Sequence, residues 1–251
     1  MTSTAPLAVI LAAGKGTRMR SELPKVLFPV LGRPMIEFVL EALEAAGIRR
    51  KVVVVGYRAD EVRKTLAGRP GVEFAEQHEQ LGTGHAVMMC RSQIAELDDS
   101  SPVVIVTGDS PLLQPASLRT LLDYFEREKP ACLLGTLEKE DPTGLGRIVR
   151  DDEGEFLGIV EEKDATPQQR WIREVNMSTY VFAAGPLLDS LGRLDNRNQQ
   201  GEYYVTDCPG ILKQSGRKVA ALPVLQPCEA LSINRVEDIP PVEAALAARR
   251  S

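Results

Sequence analysis

The chain is poor in the residues that build structural metal sites. It has two histidines and four cysteines in 251 residues, and Cys90, Cys132, Cys208 and Cys228 form no C-x-x-C pair. That excludes the common zinc frameworks. It leaves four reduced thiols, mostly buried, in a cytoplasmic protein. No apolar run reaches the length of a membrane span, so no membrane partner is expected. Residues 7–13 are apolar, but no basic segment precedes them and Gly14-Lys15-Gly16 follows at once. This reads as a buried strand and not as a signal peptide. No block of Lys and Arg is long enough for a nucleic-acid stripe, and the formal net charge of -5 points the same way. A nucleic-acid partner is therefore not expected. There is no internal repeat and no low-complexity tract. With 43% hydrophobic and 26% charged residues, the chain can bury one large core, or one core with a smaller lobe.

What is present is an alternation of strand and helix signals. Leu7 to Leu11, Val52 to Val55 and Val103 to Thr107 are apolar, β-branched runs of the kind that form strands covered on both faces. Val72 to Ala75 and Ala131 to Leu137 are further strands. Between them the pattern predicts helices from Pro34 to Ala46, with Gly47 as stop, and from Asp60 to Leu66, with Asp60 as N-cap. Two more run from Thr83 to Ile94 and from Ala116 to Glu128. The fold class is α/β, a doubly wound and mostly parallel sheet. After about residue 140 the character changes. Arg147 to Arg150, Phe156 to Val160 and Val175 to Phe182 read as strands without long helices between them. They predict a β-rich insertion lying over the sheet's open edge. Helices are expected at Gly185 to Leu194 and Val205 to Ser215. A last one runs from Val236 to Arg250, interrupted early by Pro240 and Pro241.

The most informative stretch follows the first strand. Leu11 to Met19 reads LAAGKGTRM, and α/β folds bind ligands at the carboxyl ends of their strands. Glycines there let backbone N–H groups approach an anion. Arg18 and Lys25 add two cations, one able to grip phosphate as a fork and one a compact charge. Both suit a triphosphate whose charge grows on a leaving pyrophosphate. The loop is not a Walker A sequence, and Met19 stands where a dinucleotide fingerprint needs a third small residue. A plain strand-to-helix turn would explain a lone G-x-G, but not the added Arg18, Pro24 and Lys25. Farther on, VVIVTGD at 103–109 is a buried strand ending in Asp109. A carboxylate there points into the ligand crevice and suits Mg2+, which takes one or two protein oxygens, substrate phosphates and water.

The LAAGKGTRM run followed by LPKVL resembles the signature of bacterial sugar-phosphate nucleotidyltransferases. EQLGTGHA at 79–86, TGDSPLL at 107–113, DPTGLGRI at 141–148, IVEEKDAT at 159–166, EVN at 174–176 and QGEYYVTD at 200–207 resemble the N-acetylglucosamine-1-phosphate uridyltransferase domain, in that family's order. The resemblance implies a Rossmann-like nucleotide-diphospho-sugar transferase fold spanning 1–251 as one domain. Its nucleotide-binding part covers about 1–140, its sugar-binding part about 141–235, and its C-terminal helix 236–250. It implies UTP and a sugar-1-phosphate as substrates, Mg2+ as cofactor and a place in cell-wall precursor synthesis. By the same resemblance Leu11, Ala12, Ala13, Gly14, Lys25, Thr107 and Gly108 contact substrate. Gln77, Gly82 and Thr83 hold the pyrimidine, and Gly146, Glu161 and Asn176 bind the amino sugar. Asn234 joins Asp109 on the metal, and Arg18, Lys25 and Asp109 carry the chemistry. A Gln amide can read an imide edge, since it donates and accepts at once. His85 is expected to pack or to support its neighbours; Tyr203 and Tyr204 could stack near a sugar or pack at a helix start.

The sequence also departs from the family. Thr107-Gly108-Asp109 replaces Tyr-Gly-Asp, and Asn176-Met177-Ser178 replaces Asn-Thr-Gly. Both changes fall on the sugar side, so the identity of the sugar stays open, as does the oligomeric state. No hexapeptide repeats follow, so acetyl transfer is not expected. A thymidylyl- or cytidylyltransferase and a non-catalytic nucleotide-sugar sensor remain alternatives. A purely structural role gives no reason for the clustered loop chemistry.

Overall fold

A computed structural model describes residues 5–249. Leu7–Leu11 forms β1, and a small ladder of Pro29–Val30 (β2) and Arg33–Pro34 (β3) leads into α1, Met35–Ala45. Then come β4 (Arg50–Val55), α2 (Ala59–Thr65), β5 (Val72–Glu76), α3 (Thr83–Met88), α4 (Arg91–Ala95), β6 (Pro102–Thr107) and α5 (Pro115–Glu128). The second half holds β7 (Cys132–Glu138), β8 (Gly146–Arg150), β9 (Phe156–Val160), β10 (Glu174–Ala183), α6 (Ala184–Leu191), α7 (Asp207–Gln214), β11 (Val219–Leu222) and α8 (Ile239–Ala248).

The central sheet runs β11-β7-β10-β6-β1-β4-β5. All neighbours are parallel except β10, which is antiparallel to both β6 and β7. The expected mostly parallel sheet is observed, with one reversed strand, β10, inside this order. Both faces are covered, as the apolar runs require. Ala8 and Ile10 of β1 join α1 and α5 in one core, while Leu7 and Val9 join residues of α3, α4, α6 and α7 in another. A third, smaller core ties Met19 and Met35 to Leu112, Ile233, Val242 and Leu246. It anchors the glycine loop against the C-terminal helix.

Several expectations need correction. The insertion does not lie over an open edge. β8 pairs with the interior strand β10 through Val175↔Arg147 and Asn176↔Gly146. β10 is ten residues long, and β6 pairs only with its Tyr180–Ala183 half. β8 takes the remaining half, beyond the carboxyl end of β6. The helix expected from Thr83 to Ile94 is two helices, with Cys90 between them. Asp60 is not an N-cap: Arg58 holds that position in a left-handed conformation, φ 48°. Asp60 lies in the first turn, where its charge complements the helix dipole. Pro240 and Pro241 do not interrupt the last helix. They sit in the first turn of α8, where missing N–H groups cost nothing. The expected end of that helix, Arg250, lies outside the described residues. The strands β2, β3 and β11 have no counterpart in the sequence-based reading. The cysteines Cys90, Cys132 and Cys208 are buried free thiols and Cys228 is half-buried. Burial pushes the Cys90 and Cys208 thiols up to about 12. No helix among the described residues is long and apolar enough to cross a membrane.

Candidate active site

The site forms where β1, β4 and β6 end. Ladder-type hydrogen bonds carry on past the strands: Ala12 N–H donates to Val54 O at 3.0 Å, Gly108 N–H to Leu11 O at 2.9 Å and Gln77 N–H to Val55 O at 2.8 Å. These bonds fix the floor of a crevice of about 440 Å³. Its walls include Leu11, Ala12, Ala13, Gly14, Arg18, Lys25, Gln77, Gly82, Thr83, Thr107 and Asp109. Gly108 and Asn234 adjoin it. Apart from its two chain neighbours, nothing lies within 4 Å of a Cβ built on Gly14, so that face of the loop is open to a ligand. Gly16 is constrained instead. Its φ is +62°, and a Cβ there would meet Lys25 Cβ at 2.7 Å. The loop therefore closes onto the Lys25 stem.

The cations and oxygens converge. Lys25 Nζ donates to Asp109 Oδ2 and, at 2.9 Å, to Asn234 Oδ1. Arg18 Nη2 donates to the same Asn234 oxygen at 2.9 Å. Asn234 is brought here from a distant part of the chain by Ile233, whose N–H donates to Asp109 O at 3.3 Å and whose side chain is buried in the third core. Asp238 Oδ2 accepts from Asn234 N–H at 2.7 Å and Arg235 N–H at 2.8 Å, which sets the turn. The sequence reading missed Asp238, although an Asn followed four residues later by Asp ahead of a helix is a visible turn signal. Among the described residues, no group of three or more His, Cys, Asp or Glu could hold a metal. The Asp109–Asn234 oxygen pair still fits Mg2+, because that ion needs few protein oxygens when phosphates complete its shell.

On the opposite wall Gln77 is 3% exposed. Its Nε2 contacts Gly82 O at 3.0 Å and His85 Nδ1 at 3.1 Å. His85 thus supports Gln77 from behind, one of the two roles expected of it. Gly82 has φ +106°, and any Cβ there would lie 2.5 Å from Tyr203 O. The strap 202–205 closes this wall. Gly84 N–H donates to Tyr203 O at 2.7 Å, and Val205 N–H donates to Thr83 Oγ1 at 3.1 Å. The Tyr203 ring lies 6.4 Å from that of His85, centroid to centroid, and Tyr204 OH accepts from Gln200 Nε2 at 2.6 Å. Lys15, Thr17, Gln80 and Glu202 also line the crevice. Lys15 was visible inside the G-K-G run; Gln80 and Glu202 carried no signal of their own.

Gly146, Glu161 and Asn176, the residues expected on the sugar side, form a second cluster outside that lining. A Cβ on Gly146 would lie 3.5 Å from Asn176 Cβ and 3.6 Å from Glu161 Oε1, so the three are neighbours. Burial raises the Glu161 carboxyl above its usual range. Burial, then the charges of Glu161, Asp195 and Asp164, pushes Asp207 up to about 6. Asn176 lies at a bulge of β10 where Ser178 takes φ +52°. Thr107 Oγ1 is within 2.9 Å of Ser110 Oγ, so its hydroxyl is already engaged.

A doubly wound sheet with a glycine loop, two cations and an acid at its strand ends defines the class: nucleotidyltransferases. Residues 8–206 match the family model of the MobA-like NTP transferase domain, and the chain belongs to that family. It is 46% identical over 228 residues to the "Bifunctional protein GlmU" of Geobacter metallireducens, covering 90% of this chain and 47% of that protein. A protein of the same name from Exiguobacterium sp. is 47% identical over 214 residues, with 85% and 47% covered. The chain spans about half the length of these curated relatives. A solved UDP-glucose pyrophosphorylase complexed with UDP-glucose superposes with a TM-score of 0.77, covering 98% of this chain and 99% of that one. Its apo form gives 0.76. Both are 16% identical and show the fold alone.

Proposed function

We propose that this chain transfers a uridylyl group from UTP to a sugar-1-phosphate, with N-acetylglucosamine-1-phosphate as the preferred acceptor, releasing UDP-sugar and pyrophosphate. The observation that carries this reading is the convergence of Lys25, Arg18, Asp109 and Asn234 at the mouth of the glycine loop. A phosphate oxygen of the sugar attacks the α-phosphorus of UTP. The new O–P bond forms as the bond to the β-phosphate bridging oxygen breaks, and the electron pair leaves with pyrophosphate. The nucleophile is already an anion, so no general base is needed. Catalysis consists of positioning and charge stabilisation. Arg18 and Lys25 hold the triphosphate, while the open face of Gly14 admits it. Asp109 and Asn234 would hold Mg2+, which supplies Lewis-acid neutralisation of phosphate charge.

Gln77 supports a uracil reading. With its amide nitrogen turned to Gly82 O and His85, its carbonyl oxygen is left to accept from an imide N–H. Glu161 and Asn176 would accept from and bridge sugar hydroxyl and N-acetyl groups. Glucose-1-phosphate is the second acceptor to consider, because Thr107 stands where the resembling family has a tyrosine. The test is incubation of the purified protein with Mg2+, UTP and a panel of sugar-1-phosphates, followed by a pyrophosphate assay. Turnover with N-acetylglucosamine-1-phosphate supports the reading, and silence across the panel overturns it. Competition with TTP and CTP separates the other nucleotidyltransferases, and tight binding without turnover would indicate a sensor.

A further inference from the structure

The ammonium of Lys25 stands at the point where the two proposed metal-ligand oxygens converge. It is bonded at once to Asp109 Oδ2 and Asn234 Oδ1, and both ion-pair partners are largely withdrawn from solvent, at 13% and 23% exposure. Arg18 holds the same Asn234 oxygen. From this geometry we infer that Lys25 is a tethered counter-ion that occupies the metal position until nucleotide arrives, so that the metal and the triphosphate bind as a coupled pair. The inference rests on the metal assignment given above and goes beyond it.

Electrostatics sets this coupling. A divalent ion and an ammonium cannot share two oxygens at contact distance, because like charges repel strongly in a crevice with low solvent access. A free metal ion must therefore expel Lys25 and leave its charge without a partner. A triphosphate changes that balance. It offers several anionic oxygens beside Gly14, within one loop of Lys25 and Arg18, and draws both cations towards itself. Asp109 Oδ2 and Asn234 Oδ1 are then released together, with the phosphates ready to complete the shell. Each ligand thus lowers the cost of binding the other, and linkage makes the effect reciprocal. The tether also fits its surroundings. The Lys25 stem is pinned against Gly16, where a Cβ would fall 2.7 Å away, so the ammonium moves by side-chain rotation and not by loop unfolding.

The test is direct metal binding, independent of turnover. Mn2+ is titrated into nucleotide-free protein and followed by electron paramagnetic resonance, for wild type, Lys25→Met, Lys25→Arg and Lys25→Met combined with Asp109→Asn. Thermal melts accompany each variant to establish folding. Lys25→Met should bind Mn2+ more tightly than wild type by roughly 5- to 150-fold, the usual span of coupling between two sites. Lys25→Arg should stay close to wild type, and the double variant should lose the gain. Equal Mn2+ affinity in folded wild type and Lys25→Met overturns the inference, whether both bind or neither does. A gain that survives Asp109→Asn also overturns it, since the metal would then lie elsewhere. Failure of the acceptor panel above would count against the proposed reaction and leave this result standing.

Discussion

The amide nitrogen of Asn176 donates to the hydroxyl of Tyr180 at 2.7 Å, and its oxygen accepts from Ser178 N–H at 3.1 Å. The backbone donor fixes which way the amide faces, and Tyr180 holds it there from a fully buried position beside Phe182. Tyr180 is therefore a positioning residue for Asn176. Tyr180→Phe removes one acceptor and should raise KM for the sugar-1-phosphate about 2- to 10-fold, the equivalent of one ordinary hydrogen bond. KM for UTP should not change. Steady-state kinetics with each substrate varied in turn make the comparison; a rise in both would point to a general structural defect.

Lys25→Ala should lower kcat/KM by roughly two to three orders of magnitude, by analogy with loss of one transition-state donor. Asp109→Ala should abolish activity and its dependence on Mg2+ together, with the fold retained by circular dichroism. Near wild-type turnover in Asp109→Ala would show the metal assignment to be wrong.

Thr107→Tyr is expected to sharpen sugar choice. A shaped apolar contact separates related substrates by about 10- to 200-fold at most. The ratio of kcat/KM for N-acetylglucosamine-1-phosphate over glucose-1-phosphate should rise within that limit. An unchanged ratio means that Thr107 does not set the acceptor.

Asp207 links stability to pH. Its carboxyl is raised from 3.8 to about 6 in the folded chain. Between these values the folded state holds a proton that the unfolded state has lost. Stability from this group is present below about pH 4 and falls as pH rises through about 6. Two pKa units correspond to nearly 3 kcal/mol, and solvent access at this half-buried site reduces the effect to on the order of 1 kcal/mol. Asp207→Asn should stabilise the protein above pH 6 and do little below pH 4. Urea melts at both pH values give the answer; equal shifts at both would remove Asp207 from the account.

Glu229 latches the segment before Asn234 to α5. It is 5% exposed and accepts from Gln114 N–H at 3.0 Å, Ser117 Oγ at 2.6 Å and Gln226 N–H at 2.6 Å. Glu229→Ala leaves these donors unpaired and should cost about 2–4 kcal/mol. At roughly 2–4 °C per kcal/mol for a chain of this size, calorimetry should detect it readily. A loss under 1 kcal/mol would mean that solvent replaces the carboxylate.

The sequence by itself determined the doubly wound core and the glycine loop. Both arise from local patterns: β-branched runs at β1, β4 and β6 demand cover on two faces, and the glycine-cation run follows the first of them directly. It also placed Asp109 near that loop, because ligand crevices form beyond the carboxyl ends of such strands. Only the tertiary structure decided what depends on distant partners. The reversal of β10 is invisible in Val175 to Phe182, since a strand-forming run has no intrinsic direction. The bond from Lys25 to Asn234 spans most of the chain and depends on Ile233 being buried with Met19. The hold of Tyr180 on Asn176 needs a bulge at Met177-Ser178, and no propensity marks it. Periodicity records which residues leave water. Which side chains then meet is fixed by how the buried faces pack against one another, and that is a property of the whole fold.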